Sequence, residues 1–134
     1  MSESIEHVSY QRKKIAIVVR KGVAVDNVKF VTTSDNFLQL GFHDKKVGHV
    51  IPTHFHNLDA PIAVSQLQEV LFIQKGKLKI TFYTKTGERI VDTTLRAGDT
   101  ILILSGAHKI EIQKDCRILE VKQGPYLQGA HTNI

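Results

Sequence analysis

Two neighbouring runs, "VLFIQ" (70–74) and "KLKITFY" (77–83), decide how this chain folds. In the second, Leu78, Ile80 and Phe82 alternate with Lys77, Lys79 and Thr81. A period of two puts the three apolar side chains on one face of a strand and the polar ones on the other. The first run is denser in apolar and β-branched residues, with Leu71 and Ile73 sharing a parity. Between them stands "QKGK", whose glycine marks a turn.

The same grammar repeats along the chain. "IAIVV" (15–19), "VKFVT" (28–32), "LQLGF" (38–42), "RIVDTTL" (89–95), "TILIL" (100–104), "KIEIQ" (109–113) and "RILEVK" (117–122) all read as short strands. Turn signals separate them at "KTGE", "RAGD", "SGAH" and "QKDC", where Gly or Asp makes a positive φ or an Asx turn cheap. Strands spaced at roughly ten residues point to an antiparallel sandwich or barrel. "TILIL" is apolar at both parities and is expected to be a central strand covered on both faces. No segment keeps a helical period over three turns.

The 134 residues fit one domain with a core of its own. No apolar run reaches the length of a membrane span, and the N-terminus lacks a signal-peptide core. One cysteine, Cys116, excludes an internal disulfide. These features give a cytoplasmic protein as the default expectation. The formal net charge of +5 comes from Lys and Arg scattered singly or in pairs. There is no nucleic-acid motif and no aromatic–basic interleaving, so neither a nucleic acid nor a membrane is expected as a partner. A small anionic ligand is, because a basic surface attracts anions.

Four residues carry the chemistry. In "IPTHFHN" (51–57), His54 and His56 share a parity, which on a strand brings both rings to one side about 7 Å apart at the backbone. Glu69 lies in register with Leu71 and Ile73, and a carboxylate facing a core is costly unless paired or bound to a cation. His108 follows the turn at "SGA". Three imidazoles and a carboxylate form a nitrogen and oxygen set suited to Fe, Mn, Ni, Zn or Co. His43 and His49 are read as surface residues, and Asp99 as a turn residue. Cys116 is read as structural.

These residues resemble the two motifs of the cupin superfamily, small single-domain members included. Gly48, five residues, His54-x-His56, then Glu69, six residues and Gly76 follow the first motif. Gly98 and Asp99, with "LSGAH" ending in Gly106 and His108, follow the second. The resemblance spans residues 38–122. It departs from the family in the twelve residues between His56 and Glu69, in Leu104 where proline is usual, and in a second motif one residue short before His108.

The resemblance implies a single cupin domain over 1–134, an antiparallel β-barrel of the jelly-roll or double-stranded β-helix type. It implies one divalent transition metal held by His54, His56, Glu69 and His108. The implied function is a metal-dependent enzyme, such as a dioxygenase or isomerase, acting on a small oxygen-rich anion. Two alternatives stand beside it: a metal-free sugar-nucleotide isomerase or epimerase, and a non-catalytic sensor cupin. The strand-like N-terminal segment suits a homodimer. The long segment "NLDAPIAVSQLQ" (57–68) is expected as a loop able to serve as a lid.

Overall fold

A computed structural model describes residues 4–125, 129, 132 and 133. They form strands and no helix: β1 (Ile5–Tyr10), β2 (Lys13–Val19), β3 (Asn27–Phe30), β4 (Gly41–Asp44), β5 (Glu69–Tyr83), β6 (Arg89–Arg96), β7 (Thr100–Ile103) and β8 (Ala107–Lys122). The chain divides into two compact units, Met1–Val23 with Gln66–Ile134, and Ala24–Ser65.

The first unit is an antiparallel sheet curled into a half-barrel. Its path runs β1-β2-β7-β5-β6, and β8 pairs along the other side of β5. β7 is central, between β2 and β5, and residues 100–104 are all buried. The expectation for "TILIL" therefore holds. The core is built from alternate positions of several strands: Leu71, Ile73, Leu78, Ile80 and Phe82 of β5, with Ile15, Ala16, Val18, Leu95, Ile101 and Ile103.

The sequence marks a turn at "QKGK" and another at "QKDC"; the structure has neither. β5 runs unbroken for 15 residues and β8 for 16, paired from Glu69↔Lys122 to Tyr83↔Ala107. What the turn residues supply is a bulge. The register shifts between Ile73 and Leu78, and the buried positions of β5 change from odd (Leu71, Ile73) to even (Leu78, Ile80, Phe82). Without that shift, one half of the strand would show its apolar side to water.

Gly76 makes the bend possible. Its φ is +94°, and a Cβ there would lie 2.1 Å from the Asp115 carbonyl oxygen. Two backbone strands meet at that point too closely for any side chain. The β6–β7 turn is fastened to the same bend by Gly98 N donating to Ile73 O (2.7 Å) and Ile73 N donating to Asp99 O (3.0 Å).

Asp99 is the turn residue the sequence suggests, and it does more. Buried to 6% exposure, it accepts from the backbone N–H of Lys21 and Arg96 at 2.9 Å each. It also pairs with Arg20 at 3.2 Å. Arg20 in turn forks onto Glu6 (2.6 and 3.1 Å) and donates to Thr94 O (2.6 Å) and Thr93 Oγ1 (3.1 Å). The bonds to Glu6 hold the guanidinium above its ordinary pKa against its partial burial. One cation thus ties β1 and β2 to β6 and the following turn.

The hairpin joining β1 to β2 has no glycine or asparagine. Gln11 and Arg12 both take positive φ, 49° and 66°, the pattern of a type I′ turn. This is why β1 does not stand out in the sequence.

The second unit carries one two-stranded ladder, β3–β4, from Asn27↔Asp44 to Phe30↔Gly41. The strand expected at 38–42 begins only at Gly41, because Leu38 and Leu40 lie in a turn network organised by Gln39. Its side chain donates to Thr33 O and Asn36 O, both at 2.9 Å. None of the described residues forms a helix long and apolar enough to cross a membrane.

Candidate acid–imidazole site

Glu69 opens β5 and His108 lies opposite Phe82, near the other end of that strand. In a straight strand the two ends would stand roughly 40 Å apart. In the half-barrel, His108 Nε2 lies 3.0 Å from Glu69 Oε1. That contact measures the curl. It also shows that the turn at Ser105–Gly106 leaves His108 aimed at Glu69.

Glu69 is half-buried, its side chain 17% exposed, while His108 is an exposed residue whose side chain keeps 29% of its surface open. Glu69 keeps the parity of Leu71 and Ile73, both buried, so the carboxylate stands at the rim of the core as its register suggests. Its cost there is met by partners. The His108 hydrogen bond holds the carboxyl below the ordinary range, against the opposing effect of burial, with smaller help from Glu120 and Lys122.

Glu120 and Lys122 are the residues the sequence does not reveal. Lys122 is directly opposite Glu69 on β8, and Glu120 is opposite Leu71. The neighbouring Glu69 carboxyl, with burial, raises the pKa of Glu120. Two carboxyls pushed in opposite directions can share one proton between them. Only the β5–β8 register makes this pair, so nothing in "RILEVK" alone marks it.

His54 and His56 belong to the second unit. The stretch 51–57 is not a strand but exposed chain outside any element. The two rings still fall on one side, with centroids 5.1 Å apart and planes at 71°. His54 Nδ1 lies 2.7 Å from Pro52 O. A carbonyl only accepts, so the ring donates from Nδ1. Metal-binding histidines are commonly oriented in this way.

His43, on β4, stands edge-on to Phe30 with centroids 6.2 Å apart, and His49 is exposed. Residues 57–65 are exposed and outside any strand, with Leu58, Ile62 and Val64 open to solvent. The same segment ends in order: Gln68 is 3% exposed, and its N–H donates to Gln123 Oε1 at 2.9 Å. Cys116 packs against the core, its thiol 3.2 Å from Lys77 O, in keeping with a structural role.

Among the described residues no three His, Cys, Asp or Glu side chains form a group arranged to hold a metal ion. The structure therefore supplies two pairs, each in its own unit: Glu69 with His108, and His54 with His56. Comparison with known proteins returned no match, whether to a protein-family model, a curated protein or a solved structure.

Proposed function

We propose that this chain is a small cupin-type protein that binds a divalent transition metal at the Glu69–His108 pair and uses it as an enzyme on a small, oxygen-rich anion. The observation that carries the reading is the meeting of Glu69 and His108. They come from the two separate motifs and approach to 3.0 Å. The all-β half-barrel is compatible with a cupin jelly roll.

When bound, such a metal supplies a Lewis acid or an oxygen-activating centre. The chain's own residues would orient it and hold protons nearby. Glu120, whose pKa is raised by its neighbour Glu69, stands beside the pair as a carboxyl able to exchange a proton with substrate. We take the protein as cytoplasmic and homodimeric. β1 is an outer strand of the sheet and pairs only with β2 among the described residues.

Elemental analysis of protein purified without a histidine tag or added metal tests the reading. Wild type is expected to carry near-stoichiometric metal, and the Glu69→Ala/His108→Ala double variant almost none. Glu69→Ala and His108→Ala should each lower the content sharply, since a site missing a ligand is weak. Equal metal in wild type and the double variant overturns the proposal.

The second reading, a metal-free isomerase or epimerase, draws on one observation. Glu69 and Glu120 are a carboxyl pair whose pKa values are driven apart, the pattern of an acid and base working together. It predicts turnover that survives exhaustive chelation.

A further inference from the structure

The bend at Gly76 gathers positive charge that the sequence keeps apart. Lys77 is directly opposite Arg96 of β6 on one side and Lys114 of β8 on the other. Directly paired residues of a ladder share a face, and neighbouring strands lie about 4.8 Å apart. Lys77 and Arg96 therefore share a face, and Lys114, at the bulge where the β8 register slips, lies on the strand beyond, so that the three form one rung roughly 10 Å long. Leu78, the next residue, is fully buried, so the rung looks outward. Across the bulge, Lys75 is opposite Arg117, also exposed.

None of these five cations makes an ion pair among the described residues. The acids of the neighbouring rungs are engaged elsewhere. Glu111 pairs with Lys79 (3.8 Å) and Lys109 (3.1 Å), Asp92 with Arg89 (2.5 Å), and Asp99 with Arg20 (3.2 Å). Asp115 is the single carboxylate in the stretch, beside Lys114.

Like charges placed directly opposite one another destabilise a sheet. Lysine on an edge strand has a separate use, since it blocks edge-to-edge association, and that accounts for Lys114 and Arg96. It does not account for Lys77, on a strand paired along both sides. A repulsive rung centred on an interior strand is explained by an anion that neutralises it.

We propose that the rung Arg96–Lys77–Lys114, with Lys75 and Arg117 beside it, binds the phosphate chain of an inorganic or nucleoside triphosphate. Several negative charges spaced over a few ångströms match three cations within roughly 10 Å, and the arginine forks suit phosphate oxygens. The patch is too short to track a nucleic-acid strand. Tyr83, at the far end of β5, is already overlain by Lys109 Nζ at 5.9 Å from its ring centroid. This site does not depend on the metal reading, and its test leaves that reading untouched.

Calorimetric titration with inorganic triphosphate in metal-free buffer at low salt is the experiment, repeated with ATP and with a 12-nucleotide single-stranded RNA. Wild type is expected to bind triphosphate, and added salt to weaken it. Lys77→Gln, Arg96→Gln and Lys114→Gln should each weaken it about tenfold, one charge-assisted contact apiece. Lys85→Gln removes the same charge in the exposed β5–β6 turn and should change affinity less than about twofold if the rung is specific. Lys77→Gln should melt no lower than wild type; should it fail to fold, the two edge-strand variants carry the test. Equal binding of ATP and triphosphate shows that the phosphate chain alone is read, while tighter ATP assigns the site to a nucleotide. No binding by wild type, or an equal loss in Lys85→Gln, overturns the proposal. RNA binding more tightly than either phosphate overturns it in favour of nucleic acid.

Discussion

The two units of this chain use apolar residues in opposite ways. Every large hydrophobic side chain described as buried belongs to the first unit, on β2, β5, β6 and β7 and just after β7. In the second unit Val28, Phe30, Val47, Val50, Ile51, Phe55, Leu58, Ile62 and Val64 are all exposed. The sequences are not so different: "VKFVT" is as rich in β-branched and aromatic residues as "RIVDTTL". What differs is the number of strands available. A sheet that curls on itself encloses its own apolar face, whereas a two-stranded ladder cannot enclose one by itself and is marginal in water. Hydrophobic content gives a segment the means to bury surface; topology decides whether it does so within its own unit.

Truncating a core residue should break the contrast most severely. Phe82 is fully buried, and Phe82→Ala is expected to cost about 3–5 kcal/mol through lost burial and the cavity left behind. Urea denaturation measures it. A loss below about 1 kcal/mol would mean that the half-barrel is not the stability-determining core.

Two glycines sharpen the comparison at the level of the backbone. A Cβ at Gly76 meets the Asp115 carbonyl at 2.1 Å and must adopt φ +94°; a Cβ at Gly41 meets the ring of Phe30 at 2.6 Å. The first obstacle is backbone and cannot yield. The second is an exposed side chain, at 54%, which can swing away. Gly76→Ala should therefore cost about 3 kcal/mol, and Gly41→Ala less than about 1. Comparable losses in the two variants would show that the β5–β8 bend does not need its glycine.

A smaller effect is expected at the acid–imidazole contact. Glu69→Gln weakens a charge-assisted bond to His108 and should cost about 1 kcal/mol near neutral pH. The folded-state pKa of Glu69 lies below its ordinary value. Its contribution is therefore present above the ordinary carboxylate pKa and is lost as pH falls through the depressed value. Melting curves across the acid range should fall less steeply for Glu69→Gln than for wild type. Parallel curves would place the contact outside the stability of the fold.

The smallest change belongs to the second unit. Ile62→Ser removes an apolar side chain that is 64% exposed and should alter stability by less than about 0.5 kcal/mol. A loss of 2 kcal/mol or more would mean that the exposed apolar groups of 24–65 are buried in solution, and the contrast between the units would fall.

Much of the half-barrel is legible in the chain because period-two patterning is a local property. "KLKITFY" and "TILIL" announce which side chains are buried. The turns at "KTGE" and "RAGD" fall where Gly and Asp put them. β1 stayed hidden because its type I′ turn is made of Gln11 and Arg12, which carry no turn signal. "QKGK" and "QKDC" misled because a glycine needed for positive φ serves a bulge as readily as a hairpin. Of the candidate site, the carboxylate could be picked out at Glu69 because it occupies a core-facing parity. Glu120 could not, since its nearness to Glu69 depends on cross-strand register.

By itself, then, the sequence determined the all-β class, the inward faces of its strands and the residue types able to do chemistry, all of which follow from short-range alternation and side-chain character. Only the tertiary structure decided that β5 and β8 each pass through a bend without turning back, that His108 closes on Glu69, and that Lys77, Arg96 and Lys114 share a rung. The reason is physical: alternation specifies which face of a strand is buried, whereas bulge placement and strand register are set by how two distant backbones meet, here where Gly76 lets β8 approach at Asp115.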